Sequence, residues 1–597
     1  MNVTLKAASD QPDNSFSFET YQWTIDKLET DQTEVVLQIM MKLKQWVEWD
    51  GVSPFAPLRM TVHGKPGTGK SVVIKTLQSL CFKIFGTHDC VKVCAPTGGA
   101  AFNAGGETCH RQWGVTRSPK TLEISSERKK YLMKNCMKIL LLIIDESSLL
   151  DAYTLGSMEN SARQCVHSSS SQGEKWGNIP VIVIFGDYFQ LPSISPGVFE
   201  MMDVTKKKQV LSSIKNPLIA DLTASGWEQY VALAEVVLSL SIPKRVDKSN
   251  KELLAILDAL RGEDDETQLN NAQIDRLLGL CLNNNQKFTS DQQALIKSQS
   301  TCLFATREAR NLHNSEMLLK LNRLHPVCIC PSVTVREGRV LSLNSHYDSE
   351  RTPSRTLLIK GAKVQLTGWN AKPDWGLFHS SIGEIVDIVF RDGESPNSGD
   401  FPSYVLVDFP QYRGPSFDVT HPTYVPIVPH VTRCKYGCGC TRTYVPLTLA
   451  FGKTIHSFQG FNVGPVTDGQ PQNAIKSVVV DPGTRNFEAM SPGLFYSVTS
   501  RVSTLGHILD LTTSALFFDS INMNFRRIYD ITRKKDGTPY FKVSLRSKWV
   551  EYLKQRELKT KKLSSAEQHQ VTQWILKHDF PISVDTFSIQ LSKWCRI

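Results

Sequence analysis

Unbroken apolar runs mark the centre of this chain. Ile139–Ile144 and Val181–Phe185 are continuous hydrophobic stretches bounded by polar residues, the pattern of strands buried on both faces, as in a parallel sheet. Leu58–Val62 is a shorter strand of the same kind, and Val72–Leu77 after it opens a helix. Val91–Ala95 predicts another strand, ending in the small-residue turn Pro96–Ala101 and a further helix. Upstream, Glu19–Trp49 has helical spacing, with Val35, Val36, Ile39, Met40, Leu43, Trp46 and Val47 on one face. Between Leu357 and Tyr444 the texture changes to short alternating segments (Ala362–Leu366, Gly383–Phe390, Tyr404–Phe409) separated by Gly, Pro, Asn and Asp, which predicts an all-β region. Residues 1–18 are polar and predict a loose tail. Phe525–Lys562 is basic and partly helical, a pattern expected of a solvated charged face.

Bulk properties narrow the picture. A chain of 597 residues exceeds one hydrophobic core and predicts about three to five domains. With 41% apolar and 21% charged residues the composition is that of a folded protein, not a disordered one. A net charge of +10 suits a polyanionic partner. The fourteen cysteines are mostly scattered, and Met1–Thr4 leads into polar sequence without a secretory pattern, so reduced thiols in an intracellular protein are expected. Ile139–Ile144 is far too short to cross a bilayer, and no membrane partner is expected.

Candidate chemistry sits at the ends of the buried strands. Gly64-Lys65-Pro66-Gly67-Thr68-Gly69-Lys70-Ser71 fits the phosphate-cradling pattern G-x-x-x-x-G-K-[ST], between the strand and helix such a loop requires. Its glycines let successive N–H groups point at phosphate oxygens, Lys70 would bridge the β- and γ-phosphates of ATP, and Ser71 would give a hydroxyl to Mg²⁺. Asp145 and Glu146 follow the second apolar run, where open parallel sheets bind ligands. Asp145 would hold the Mg²⁺ through water, and Glu146 would orient and deprotonate an attacking water. Gln190, after the third run, is placed to sense the γ-phosphate, and Gln32 to read an adenine edge. Thr97, His110 and Arg111 flank small-residue turns that a nucleic-acid backbone can approach. His430, Cys434, Cys438 and Cys440 are four soft ligands within eleven residues, a candidate structural zinc site, although the two-residue step from Cys438 to Cys440 is not that of a standard finger.

In order, Gln32, the phosphate loop, Ala95–Gly98, Asp145–Ser148 and Gly186–Pro192 resemble the motifs of superfamily-one DNA helicases of the PIF family and its RecD-like and Helitron-type relatives. Pro243-Lys244-Arg245, Leu303–Ala309, Leu447–Gly460 and Leu494–Val502 continue the resemblance, which covers about Leu28 to Leu511. It implies an α/β fold of two RecA-like P-loop NTPase domains with a small β-barrel inserted in the second. The expected divisions are a tail at 1–18, a first motor domain at 19–235, a second at 236–520 with its insertion at about 357–444, and a basic extension at 521–597. It also implies Arg501 and Arg245 as arginines reaching the γ-phosphate, with Pro96, Thr97, His110, His456 and Gln459 along a single-stranded DNA groove. In the family pattern Arg245 is followed by Gln; here it is followed by Val246. The implied activity is ATP-dependent translocation on single-stranded DNA in the 5′→3′ direction, opening partial duplexes, in genome maintenance or transposon replication and in the nucleus if eukaryotic. The helicase portion of a Helitron-type transposase, an ATPase-inactive DNA-binding remnant and a P-loop motor acting on protein are the alternatives. Oligomeric state is not legible.

Overall fold

A computed structural model describes residues 25–594 apart from 117–118, 167–173, 245–249, 264–268, 284–287, 342–352, 368–371, 373–374, 396–398, 434–438, 462, 464–474, 476, 484–486, 489–490, 503–514, 519–540 and 579–580. The apolar runs become the middle of a six-stranded sheet. Its strands are β1 (Leu58–Gly64), β2 (Val91–Ala95), β3 (Glu107–Thr108), β4 (Leu141–Ile144), β5 (Val181–Gly186) and β6 (Val236–Leu240), in the order β3-β2-β4-β5-β1-β6. Every pairing is parallel, and β4 and β5 are buried along their whole length, as their continuous apolar sequence requires. The order brings the carboxyl ends of β1, β4 and β5 side by side, and with them the phosphate loop, Asp145–Glu146 and the turn at Asp187–Gln190.

β6 lies in this first sheet, paired from Met60↔Val236 to Gly64↔Leu240. The division expected at 235/236 therefore falls inside the sheet's own sequence. The helix Thr30–Val47 covers one face of the sheet with the residues its spacing selects: Val35, Val36, Ile39, Met40, Leu43 and Trp46 are all inaccessible to solvent.

The basic extension packs on the same unit. Helices Phe541–Lys559, Ser565–Lys577 and Val584–Trp594 bury Leu545, Trp549, Val571, Ile575, Phe587 and Trp594. The Trp46 ring meets those of Phe587 and Trp594 at 6.2 and 6.4 Å, and Gln590 Nε2 donates to the carbonyls of Trp46 and Trp49 at 2.8 and 2.9 Å. The charge run is thus the outer face of helices whose other face completes a core, a division that charge alone does not show.

The strands Gly452–Thr454, Thr301–Phe304, Ser477–Asp481 and Ala515–Phe518 form a second parallel sheet in that order. The region between its first two chain segments is β, as its alternation predicts, and begins earlier than expected, at Cys328–Pro331. Tyr424–Ile427, Tyr404–Asp408, Ile382–Val389, Lys363–Leu366 and Leu447–Leu449 pair antiparallel as a five-stranded sheet, with a register shift between Ile385 and Asp387. A four-stranded sheet, Arg339–Leu341, Val333–Arg336, Thr441–Tyr444 and His430–Arg433, lies beside it in sequence. Among the described residues no pairing joins the outer strands of the five-stranded sheet into a closed barrel.

Candidate nucleotide cleft and nucleic-acid groove

The loop between β1 and the helix Lys70–Phe85 is held open by backbone geometry. Gly67 and Gly69 have φ of +77° and +81°, a region that side chains other than glycine's rarely enter. A Cβ on Gly69 would also lie 2.4 Å from the Gln32 amide. Lys70 Nζ donates to the carbonyls of Gly64 and Lys65 at 2.7 and 3.0 Å, and Thr68 Oγ1 to that of Lys65 at 2.8 Å. These contacts cup the loop around the lysine head. Pro66 sits in its outer turn, and Ser71 lies in the first turn of the helix, where the N–H groups and the dipole favour an anion. Gln32 is buried, accepting from Glu29 N–H at 3.0 Å and donating to the Thr68 carbonyl at 2.8 Å. Its amide therefore supports the loop from behind, a role that its place at the start of a helix did not suggest.

Two carboxylates face this loop. Asp145 N–H donates to the Cys94 carbonyl, while Asp145 Oδ1 accepts from Glu146 N–H at 2.9 Å. Burial, then the neighbouring Glu146, raises the Asp145 carboxyl to about 7. Glu146 has φ 52° and ψ 47°, a left-handed conformation costly for a residue with a Cβ, held by the tight turn between β4 and Ser147–Leu149. Its Oε2 is buried without a hydrogen-bond partner among the described residues. Two clustered acids with an orphaned oxygen make a donor set that suits a hydrated divalent cation shared with phosphate.

Arg501 reaches this group from the second unit. Its Nη2 donates to Gln190 Oε1 at 2.6 Å and to Glu146 Oε1 at 3.3 Å, and all three side chains are buried. The structure thus brings Lys70, Asp145, Glu146, Gln190 and Arg501 into one cleft. Arg245 lies outside the described residues. Its neighbour Lys244 donates through its N–H to the Gly67 carbonyl at 2.6 Å and pairs with Glu29, so the chain passes beside the phosphate loop there.

The residues expected along a DNA groove also gather. Thr97 follows Pro96 and caps the helix Gly98–Asn103, accepting from Ala100 N–H at 3.3 Å. Gly460, with φ +91°, packs so closely on that helix that a Cβ would lie 2.7 Å from Ala100 N. Asn103 Nδ2 donates to the Gly460 carbonyl. Gln459 is buried and donates to the Leu191 carbonyl at 3.5 Å, whereas His456 on the helix Ile455–Phe458 is half-buried, its imidazole lowered by burial and then by Lys542. His110 stands on the separate short helix Cys109–Trp113.

Sequence reasoning missed an aromatic and cationic lining beside this junction. Phe102 packs on Phe378 at 5.0 Å, Arg413 lies over Phe102 at 4.6 Å, and Lys453 over Phe461 at 4.6 Å. Phe378 and Arg413 come from the β-rich region, where alternation reports strands and carries no signal of what they face. Of the candidate zinc ligands, His430 and Cys440 are described, while Cys434 and Cys438 lie outside the described residues; among the described residues no three His, Cys, Asp or Glu side chains cluster as metal ligands. Nor is any described helix long and apolar enough to cross a membrane.

Comparison with known proteins agrees with this arrangement. The family model for PIF1-like helicases matches residues 30–218. The ATP-dependent DNA helicase RRM3 of Saccharomyces cerevisiae is 32% identical over 137 residues, which are 22% of this chain and 18% of that relative's length. Among solved structures, the Pif1 helicase from Candida albicans aligns with a TM-score of 0.55 and 20% identity, covering 88% of this chain and 99% of its own. The Bacteroides Pif1 helicase in complex with ADP-AlF3 and single-stranded DNA aligns at 0.52 and 19%, covering 82% and 93%. The two parallel sheets are those of the RecA-like pair in these helicases, and residues 30–218 of this chain carry a PIF1-like helicase domain.

Proposed function

We propose that this chain is an ATP-driven DNA helicase that steps along single-stranded DNA. The observation that carries the reading is the meeting of Arg501 with Glu146 and Gln190 across the cleft, because it joins an arginine of one sheet to the acid and glutamine of the other. In the mechanism, the loop amides and Lys70 bind the phosphates. Ser71 and Asp145 would hold the Mg²⁺ ion, which when bound offsets phosphate charge. Glu146 takes the proton of the attacking water, and Gln190 orients on the γ-phosphate. Arg501 meets the charge that builds on the transferred phosphoryl group, and its fork suits phosphate oxygens two at a time. Because Arg501 belongs to the second unit, its contact exists only in a closed cleft, so hydrolysis and reopening are linked to relative movement of the two units.

The contact of Gly460 with the helix Gly98–Asn103 supports a strand path crossing both units, with Thr97, His110 and His456 on phosphates and nearby rings available for base stacking. Partially duplex DNA with a 5′ tail is the proposed substrate, by analogy with the family. The deciding experiment measures hydrolysis with and without single-stranded DNA for the parent and Glu146→Gln. Stimulated turnover in the parent, with ATP binding kept and turnover lost in the variant, is expected. Near-parental hydrolysis by Glu146→Gln would remove Glu146 as the base.

A further inference from the structure

A second buried polar group lies behind the cleft and is used by none of the steps above. Its centre is Arg261, the last residue of the helix Lys251–Arg261, with a side chain only 3% exposed. Arg261 Nη1 donates to Asp187 Oδ2 at 3.0 Å and to the Tyr496 hydroxyl at 2.9 Å. That hydroxyl donates in turn to the same Asp187 oxygen at 3.2 Å. Nη2 lies 3.1 Å from His63 Nε2, Nε donates to Glu263 at 2.9 Å, and the guanidinium sits 4.2 Å from the centre of the Phe189 ring.

The places of these partners in the chain give the group its meaning. His63 immediately precedes the phosphate loop. Asp187 builds the turn that presents Gln190: its Oδ1 accepts from Phe189 N–H at 3.1 Å, its carbonyl from Gln190 N–H at 3.1 Å, and its Oδ2 from Gln190 Nε2 at 3.5 Å. Tyr496 lies on the helix Leu494–Thr499, one turn before Arg501. One carboxylate oxygen therefore receives donors from the glutamine turn, from the arginine-bearing helix and from Arg261. Burial would raise the Asp187 carboxyl, but Arg261 and then His63 and Lys70 outweigh it, and it is held below its ordinary value.

We propose that Arg261, with Asp187 and Tyr496, forms a latch that fixes the separation of Gln190 and Arg501, making Arg261 a positioning residue for hydrolysis. Buried ion pairs are often no more stabilising than apolar packing of the same volume, so stability alone does not explain a charge buried among these elements. Fixed geometry between two units does. The inference rests on the proposed ATPase reading of the cleft.

Two variants test it. Tyr496→Phe removes one hydroxyl and keeps the ring; Arg261→Lys keeps the charge and loses the fork. Binding of ADP, and of ADP with aluminium fluoride as a mimic of the transferring phosphoryl group, is measured by calorimetry for each, together with kcat and KM for ATP on single-stranded DNA. The latch acts only on the closed cleft. Affinity for ADP with aluminium fluoride should therefore fall about tenfold, with ADP affinity and KM changed less than about twofold, and kcat should fall in step. The double variant should be little worse than either single one, because the members act as a unit. Equal losses for both ligands would reduce the group to a structural role, and unchanged affinity for the mimic would overturn the latch outright. If Arg261→Lys does not fold, Tyr496→Phe decides alone. A parent that binds both ligands but shows no DNA-stimulated hydrolysis would refute the helicase reading, whereas the latch is judged by the binding readout.

Discussion

Arg501 and Asp145 show how far single side chains carry the chemistry. Arg501 makes bonds to two acceptors from one Nη2, a geometry that an ammonium on a flexible stem does not reproduce. Arg501→Lys should therefore lower DNA-stimulated kcat by about a hundredfold or more while leaving single-strand affinity near parental, as stopped-flow phosphate release and DNA anisotropy would read. A matching loss in DNA affinity would place the side chain in the groove instead. Asp145, raised to about 7, is partly protonated at neutral pH, and cation binding requires its carboxylate. Binding of Mg²⁺–nucleotide at pH 7 should thus release protons, the number falling towards zero as pH rises above that value. Calorimetry in buffers of different ionisation enthalpy measures it, and Asp145→Asn should abolish it. The loop and the two acids were legible in sequence because they follow strands with an unmistakable apolar pattern. Arg261 was not: an arginine ending a helix reads as a solvated cation, and its partners lie 74, 198 and 235 residues away.

At the scale of elements, patterning succeeded where burial is two-sided and failed where it says nothing of neighbours. The strands of β4 and β5 are continuous in sequence and in the fold alike. β6, half-buried at an edge, has no pattern that distinguishes the first sheet from the second, and only its register with β1 assigns it. The helices Ala152–Cys165 and Pro217–Leu233 meet through two glycines: a Cβ on Gly156 would lie 1.9 Å from the Leu222 carbonyl oxygen, and one on Gly226 would lie 1.8 Å from that of Ala152. Neither φ is positive, so what the site demands is close approach of backbones rather than an unusual turn. Gly226→Ala should therefore cost at least ~2 kcal/mol by forcing the helices apart, seen as a lower denaturant midpoint. An unchanged midpoint would mean that the pair slides without cost.

For the whole molecule, the two units touch through the arginine at the nucleotide and through Gly460 at the groove, so a closed cleft and an assembled strand path belong to one conformation. The direction of travel is encoded in neither contact; by family analogy, 5′-tailed partial duplexes should be opened and 3′-tailed ones left intact in a strand-displacement assay, and the reverse would call for another assignment. The helices that complete the first core come last in the chain. Gln590 bonds to the Trp46 carbonyl across 544 residues. At ribosomal speeds of about 5–20 residues per second, that contact forms roughly half a minute to two minutes after Trp46 is made. Throughout that interval the helix Thr30–Val47 has the surface of Trp46 uncovered, and a nascent chain stalled before residue 541 should be markedly more open to proteases and chaperones at that helix than the released protein.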